Sequence, residues 1–122
     1  MATIKSYTDI DQSKKLAEIL PLESADMYLW SSGKRYYIEA MDDGDFNEEE
    51  GHVRAWSLAA LLEFLRNRSD CNYVTLTSNK ASLWCLRTSY YNHVWEDAEE
   101  VSENAVDACV DMILKLNELN LL

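Results

Sequence analysis

The segment WSLAALLEFLR, residues 56–66, predicts a helix more clearly than any other part of the chain. Ser57 is a good N-cap, and its neighbours Trp56 and Leu61 occupy the two positions of a hydrophobic staple. Leucines then follow the i, i+3, i+4, i+7 spacing of one apolar helix face, at Leu58, Leu61, Leu62 and Leu65. We expect this face to pack on a layer of extended chain.

Two further helices are predicted, one at each end of the chain. Thr8 followed by Asp11 resembles a capping box that opens the first helix, and Pro21 should end it. Ser102 or Asn104 can cap the last helix. The apolar face of this last helix is expected to consist of Val106, Cys109, Ile113 and Leu116.

Two β-hairpins are predicted between the helices. The first joins residues 26–30 and 34–41 around Gly33, and the second joins 73–77 and 82–90 around Asn79. In the second hairpin, Trp84 and Leu86 should share a face. The element order α-ββ-α-ββ-α predicts an α+β fold with a four-stranded, mainly antiparallel sheet and helices packed on one face.

The chain is expected to form a single domain over residues 1–122, because no linker composition interrupts it. The two predicted turns lie 46 residues apart, and each is followed by a strand, an acidic loop and a helix. This spacing suggests two ββα units, 26–67 and 73–118, after the N-terminal helix. The apolar faces of the two helices do not superimpose at this offset, so the duplication stays one of two alternatives.

Acidic residues dominate the charge of the chain. Asp and Glu number 22 against 11 Lys and Arg, which gives a formal net charge of −11. Thirteen of these acids lie in two stretches, seven within residues 39–50 and six within 96–107. Residues 42–51 of the first stretch are expected to be a solvated loop, and an acidic loop in the second stretch should precede the last helix. This charge disfavours direct binding to nucleic acids or to anionic membranes.

The three cysteines are odd in number and widely spaced, as reduced thiols usually are. The N-terminus has no apolar segment of signal-peptide length, and the longest apolar run, 58–62, is far too short to span a bilayer. These features predict a cytoplasmic protein.

The sequence contains no motif that predicts catalysis, a cofactor or a metal site. Asp43, Asp45 and Asn47 match the first ligand positions of an EF-hand loop, but Glu48 replaces its turn glycine and Arg54 its bidentate glutamate. Nucleophile and base pairs such as Cys85 with His93, or Ser57 with His52, have no supporting spacing. We therefore expect no enzymatic activity, and binding of a divalent cation by residues 42–51 stays open.

The aromatic residues outnumber what one small core usually needs, so some are expected to contact another protein. The candidate contacts are Tyr37, Tyr90, Tyr91 and Trp95. A non-enzymatic protein-binding module is the function that the sequence favours. The alternative is an acidic inhibitor that imitates a nucleic acid and occupies the basic groove of a DNA- or RNA-binding protein, with Glu48, Glu49 and Glu50 as its contacts. The oligomeric state is not predicted.

Three segments resemble an uncharacterised family of small acidic bacterial proteins, associated with phages or mobile elements. They are QSKKLAEILPLESADM at 12–27, AWSLAALL at 55–62 and AVDACVDMILKLNELNLL at 105–122. The resemblance implies a complete protein of cytosolic or phage-associated origin. It carries no catalytic motif, and therefore implies no activity for any residue.

Overall fold

A computed structural model describes residues 5–41, 45–79, 81 and 83–122. Within these residues the fold is α+β, as predicted, with three α-helices and two three-stranded antiparallel sheets. The helices are α1 (Ile10–Ala17), α2 (Leu58–Arg66) and α3 (Ala105–Glu118). The strands are β1 (Met27–Ser32), β2 (Arg35–Ala40), β3 (Val53–Ala55), β4 (Val74–Ser78), β5 (Trp84–Asn92) and β6 (Val94–Ser102).

The first sheet has the strand order β2-β1-β3. A tight turn joins β1 to β2, and Gly33 adopts the left-handed conformation that this turn requires, with φ of 67°. β3 then pairs with the other side of β1, where Met27 lies opposite Ala55 and Leu29 opposite Val53. The predicted first hairpin is therefore present, and a short strand extends it.

The second sheet is a meander with the order β4-β5-β6. β5 and β6 form a long hairpin that pairs along the full length of both strands, from Trp84 opposite Ser102 to Asn92 opposite Val94. His93 closes the hairpin with φ of 67°, a conformation that few residues other than glycine adopt.

The prediction of one four-stranded sheet is wrong, because the two predicted hairpins lie in separate sheets and each is extended by one additional strand, β3 or β6. β6 lies in the second acidic stretch, which was expected to be a loop. It can be a strand because one of its faces and its outer edge are exposed, so that only Ala98 is fully buried and the acidic side chains remain in water. β3 has only three residues, too few to form a periodic pattern.

Helices α2 and α3 pack on one face of the second sheet, as their apolar stripes predict. Leu61, Leu65, Val106 and Ile113 are fully buried in one hydrophobic cluster. The sheet contributes Leu86 and Ala98 from its helix-facing side, and Leu16 of α1 joins the same cluster. Burial of this kind stabilises the fold by about 25 cal/mol for each Å² of apolar surface removed from water.

The helix caps follow local chemistry. The Ser57 hydroxyl accepts the Ala60 N–H at the start of α2, and Asn104 caps α3, both as predicted. The cap of α1 is Asp9 rather than Thr8, and it forms a reciprocal capping box with Gln12. Thr8 is instead fully buried and its hydroxyl accepts the backbone N–H of Trp56, which holds the N-terminal segment against the start of α2.

Each half of the chain places three strands before a helix, β1 to β3 before α2 and β4 to β6 before α3. The central strand is the first of its three in one half and the second in the other half, so the two halves differ in strand order. No helix among the described residues has the length and apolar character needed to cross a membrane.

Candidate functional site

The side of the second sheet that faces away from α2 and α3 is here called the outer face. Side chains alternate between the two sides of a strand, so every second residue of β4, β5 and β6 points to this face. All of them except Ser89 are exposed or half-buried, and the sheet residues of the hydrophobic cluster, Leu86 and Ala98, lie on the opposite, helix-facing side. The residues of the outer face are Tyr73, Thr75, Thr77, Cys85, Arg87, Ser89, Tyr91, Trp95, Asp97, Glu99 and Val101.

Two of the predicted contact residues, Tyr91 and Trp95, lie together at the hairpin end of the outer face. They are opposite each other on β5 and β6, and their ring centroids are 5.4 Å apart at a tilted angle of 59°. Tyr91 is 50% exposed and Trp95 is 52% exposed. The structure thus presents two large amphipathic rings to solvent from a paired strand backbone.

Polar groups occupy the middle of the outer face. Arg87 donates to Glu99 across the strands at 2.7 Å, and this hydrogen bond is the main reason that the pKa of Glu99 is lowered. A hydrogen bond to Asp97 raises the pKa of the Tyr73 hydroxyl. Burial, and then the nearby Glu99, raise the pKa of the Cys85 thiol. The Glu99 carboxylate therefore stays ionised at neutral pH, while the Cys85 thiol stays protonated.

Tyr90, another predicted contact, lies on the opposite side of the sheet from Tyr91. Its ring is half-buried against the hydrophobic cluster, and a hydrogen bond to Glu96 is the main cause of its raised pKa. Tyr90 therefore packs against the hydrophobic cluster rather than lying on the outer face. The alternation that places Trp84 and Leu86 on one face also assigns Tyr90 to that face, so the sequence contained this signal.

Tyr37 belongs to the first sheet, where it stacks on Trp30 across β1 and β2 with ring centroids 4.7 Å apart. It is exposed, and so is its neighbour Tyr36 on the other side of the strand. The structure thus places Tyr37 in a different sheet from Tyr91 and Trp95.

The described part of the first acidic stretch, residues 45–51, is held against the first sheet. Phe46 packs edge-on against Tyr28 at 5.6 Å, and His52 stacks on the same Tyr28 ring at 5.0 Å. The Arg54 guanidinium lies 4.5 Å from the Phe46 ring centre. The segment is therefore anchored by an aromatic cluster through Phe46, while its other described residues are exposed, as expected of a solvated loop.

Glu48, Glu49 and Glu50 form a single exposed 3-10 turn. Glu48 pairs with Arg54, and the Glu50 carboxylate lies 3.7 Å from the His52 ring. Two of the three predicted acidic contacts thus have a basic side chain of the same molecule beside them.

The structure gives little geometry for metal binding or nucleophilic catalysis. Asp43, the first residue of the partial EF-hand match, lies outside the described residues, and among those described no three His, Cys, Asp or Glu side chains converge. The Ser57 hydroxyl bonds to the Asp26 carboxylate, while His52 Nδ1 accepts the Asn47 N–H. Cys85 and His93 lie about 25 Å apart along β5, at roughly 3.3 Å per residue.

Sequence reasoning missed a buried arginine between α2 and β4. The Arg68 side chain is only 6% exposed and pairs with Asp70 at 3.1 Å. Its guanidinium also donates to the Thr88 hydroxyl and to the Ser89 carbonyl of β5. All of these bonds are within the molecule, so Arg68 holds the loop between α2 and β4 against the second sheet. No periodic pattern marks such a residue in the sequence.

Two open grooves lie elsewhere on the surface of the described residues. One, of about 470 Å³, lies between α1 and the 3-10 turn and is lined by Lys14, His52 and Arg54 among others. The other, of about 430 Å³, lies beside Arg68 and the C-terminal residues Leu121 and Leu122. No family model, curated protein or solved structure matches this chain. The site must therefore be interpreted from its own geometry.

Proposed function

We propose that the chain is a small, non-enzymatic, intracellular protein-binding module and that its contact surface is the outer face of the second sheet. The observation that carries the proposal is the pair Tyr91 and Trp95, half exposed and in ring contact on a sheet face that no described helix covers. Tyr and Trp are the residues that most often dominate binding energy when a partner buries them.

The strand backbone favours such a role because it holds both rings in place before binding. Tyr91 and Trp95 lie on strands that pair along their whole length, so association needs to order side chains only. Ordering a side chain costs about 0.5–1.5 kcal/mol, whereas ordering a loop costs much more. Arg87, another residue type enriched in interfaces, lies on the same face.

The non-enzymatic part of the proposal is supported by the state of the thiols. Burial raises the pKa of Cys109 to about 12, and burial and Glu99 raise the pKa of Cys85, so that both are poor nucleophiles at neutral pH. The intracellular part is supported by the free state of all three cysteines, Cys71, Cys85 and Cys109, which is typical of a reducing compartment.

The alternative function, an acidic mimic of a nucleic acid, has weaker support. It rests on Glu48 to Glu50, and the Arg54 guanidinium lies beside the Glu48 carboxylate. A nearby cation reduces the negative potential that a basic groove would recognise. The two functions still differ in one measurable property, because binding through phosphate-like charges weakens steeply with salt and binding through aromatic rings does not.

The test is site-specific photo-crosslinking in cells that naturally carry the protein. A photoreactive phenylalanine derivative is placed at Tyr91, and a matched control carries it at Tyr36, which is equally exposed on the first sheet. We expect one defined protein to be captured from Tyr91 and not from Tyr36. With that protein purified, Trp95→Ala should weaken binding by at least about 30-fold, as for a central aromatic contact, while Tyr36→Ala should leave binding unchanged.

Equal capture from both positions, or unchanged affinity of the Trp95→Ala protein, would contradict the assignment of the surface. Replacing Glu48, Glu49 and Glu50 by Gln separates the two functions. If this variant loses binding, and if binding by the unmodified protein collapses between 50 and about 300 mM salt, the mimic is the correct function.

A further inference from the structure

The outer edge of β6 is a second feature of the same surface. We propose that this edge accepts an extended, basic segment of the partner as an additional antiparallel strand of the second sheet. The inference rests on the proposed protein-binding function and names how the partner is bound and what chemistry it carries.

β6 is the longest strand edge among the described residues. The sheet order β4-β5-β6 places it at the end of the sheet, and its nine residues span about 30 Å at 3.3 Å per residue. The other edges, β2, β3 and β4, have six, three and five residues. In an antiparallel ladder, every second residue of an edge strand directs its N–H and C=O away from the sheet, so β6 offers a row of hydrogen-bonding groups that no other described strand pairs with.

Acidic side chains on β6 determine which segment can pair with it. On the outer face the strand presents, in order, Trp95, Asp97, Glu99 and Val101. Residues directly opposite on adjacent strands interact most strongly, and opposite charges stabilise while like charges destabilise. A segment that pairs here should therefore place cations opposite Asp97 and Glu99, with an apolar residue opposite each of Trp95 and Val101. The resulting pattern is apolar-x-cation-x-cation-x-apolar.

The helix side of the same edge is also negative. Glu96 and Glu100 point to this side of β6, and Asp111 of α3 lies near Glu100. Burial raises the pKa of Asp111, and the neighbouring carboxylates Glu100 and Asp107 raise it further. Lys115 is 3.5 Å from Glu100 and offsets part of this charge. An incoming strand would therefore meet carboxylates on both of its sides.

The same charges argue against a second copy of this chain as the occupant. Antiparallel pairing of two β6 edges would bring four carboxylates of each strand, Glu96, Asp97, Glu99 and Glu100, against those of the other. Like charges opposite each other destabilise a strand pair. A basic segment removes this repulsion and also neutralises Asp97, whereas Glu99 is already partly neutralised by Arg87 of β5.

The experiment uses the full chain and a fluorescently labelled model peptide, VTKTKTV, which carries the predicted pattern. Two further peptides carry N-methyl groups, one on the odd positions and the other on the even positions. N-methylation removes the N–H donors along one edge of a strand, so pairing with β6 predicts that one methylated peptide binds and the other does not. The peptide ETETETE serves as the charge control and should not bind.

Charge reversal on the protein gives the second measurement. Asp97→Lys should weaken binding of VTKTKTV by roughly tenfold, as expected when a cross-strand attraction becomes a repulsion. A peptide with glutamate in place of both lysines should bind the Asp97→Lys protein better than it binds the unmodified protein. Glu39→Lys is the matched control, because it reverses an exposed carboxylate on the edge strand β2 of the first sheet, and it should leave the affinity of VTKTKTV unchanged.

Each outcome decides the proposal. If both N-methylated peptides bind, or if Glu39→Lys weakens binding as much as Asp97→Lys, the segment docks by charge alone and strand addition is wrong. If VTKTKTV does not bind although Trp95→Ala abolishes partner capture, strand addition fails and the protein-binding function stands. If VTKTKTV does not bind and Trp95→Ala leaves partner capture unchanged, both strand addition and the proposed contact surface are wrong. Dimerisation in sedimentation that Asp97→Lys alters would show a second copy at this edge, and the basic partner would be wrong.

Discussion

Truncation of Leu86 tests which face of the second sheet the helices cover. The proposed contact surface requires that the helices cover the side of Leu86 and leave the outer face exposed. Leu86 is fully buried against the helices, so Leu86→Ala removes three carbon atoms from a packed interior. Substitutions of this kind cost 2–5 kcal/mol, and we expect about 3 kcal/mol. The matched control is Val101→Ala, an aliphatic truncation on the outer face, where the side chain is half exposed and the loss should stay below about 1 kcal/mol.

The expected loss of unfolding free energy corresponds to measurable shifts in Tm and in the urea midpoint. An unfolding entropy of about 2.1 cal/mol/K per residue gives roughly 0.26 kcal/mol/K for this chain, so a loss of about 3 kcal/mol lowers Tm by about 12 °C. With an m-value near 2 kcal/mol/M, the urea midpoint falls by about 1.5 M. Urea unfolding is followed by tryptophan fluorescence and by circular dichroism, whose transitions should coincide. Equal costs for the two truncations, or a larger cost at Val101, would refute the assignment of faces.

Three further predictions follow from single sites. Burial raises the pKa of Asp107, but hydrogen bonds from Lys5, Gln12 and Asn104 outweigh burial and hold this pKa below its ordinary value. Asp107→Asn should therefore cost about 1–2 kcal/mol at pH 7, and the difference from the unmodified protein should shrink as the pH falls below the ordinary aspartate pKa of 3.8, measured by urea unfolding across pH. Ser57→Ala removes the α2 cap and should cost about 1 kcal/mol, while Ser6→Ala, before the first helix, should cost less in the same assay. Cys109 is fully buried and its pKa is raised to about 12, so mass spectrometry should find it unmodified by iodoacetamide at pH 8 until urea unfolds the chain, and rapid native labelling would contradict its position.

The helices could be predicted because their signals are local. Ser57 and Asn104 cap the next few residues, and the leucine and valine spacings repeat every turn, so neither depends on distant parts of the chain. The first helix shows the limit of this reasoning. Thr8 and Asp9 are both good caps, and the burial of Thr8 beneath Trp56, 48 residues away, selects Asp9.

The division into two sheets could not be predicted, because it depends on pairing between distant strands. β3 joins β1 across the acidic segment, and its three residues carry no recognisable periodicity. The acidic sequence of β6 does not show the apolar alternation of a strand, because a strand with one covered face and a free edge needs few apolar residues. Its register is fixed by β5 and by a turn at His93, a residue that sequence patterns do not associate with hairpins.

The proposed contact residues stay a prediction, but the structure shows where each of them lies. Aromatic excess suggested a contact surface, and the structure brings Tyr91 and Trp95 together, while Tyr37 lies in the other sheet and Tyr90 faces the interior. The position of Tyr90 follows from strand alternation alone. The contact between Tyr91 and Trp95 does not, because it requires the register of a strand that the sequence does not reveal.

The shared hydrophobic cluster has a practical consequence for dissecting the molecule. α2 follows the strands of the first sheet in the chain, but it packs on α3 and on the second sheet. Arg68, which lies just after α2 in the sequence, donates to the Ser89 carbonyl of β5. A backbone cut after Asn67 would therefore leave each fragment with an exposed apolar surface that only the other fragment can cover. Two such fragments, each unfolded alone, should reassemble when mixed, which makes this chain a candidate for a split reporter of proximity.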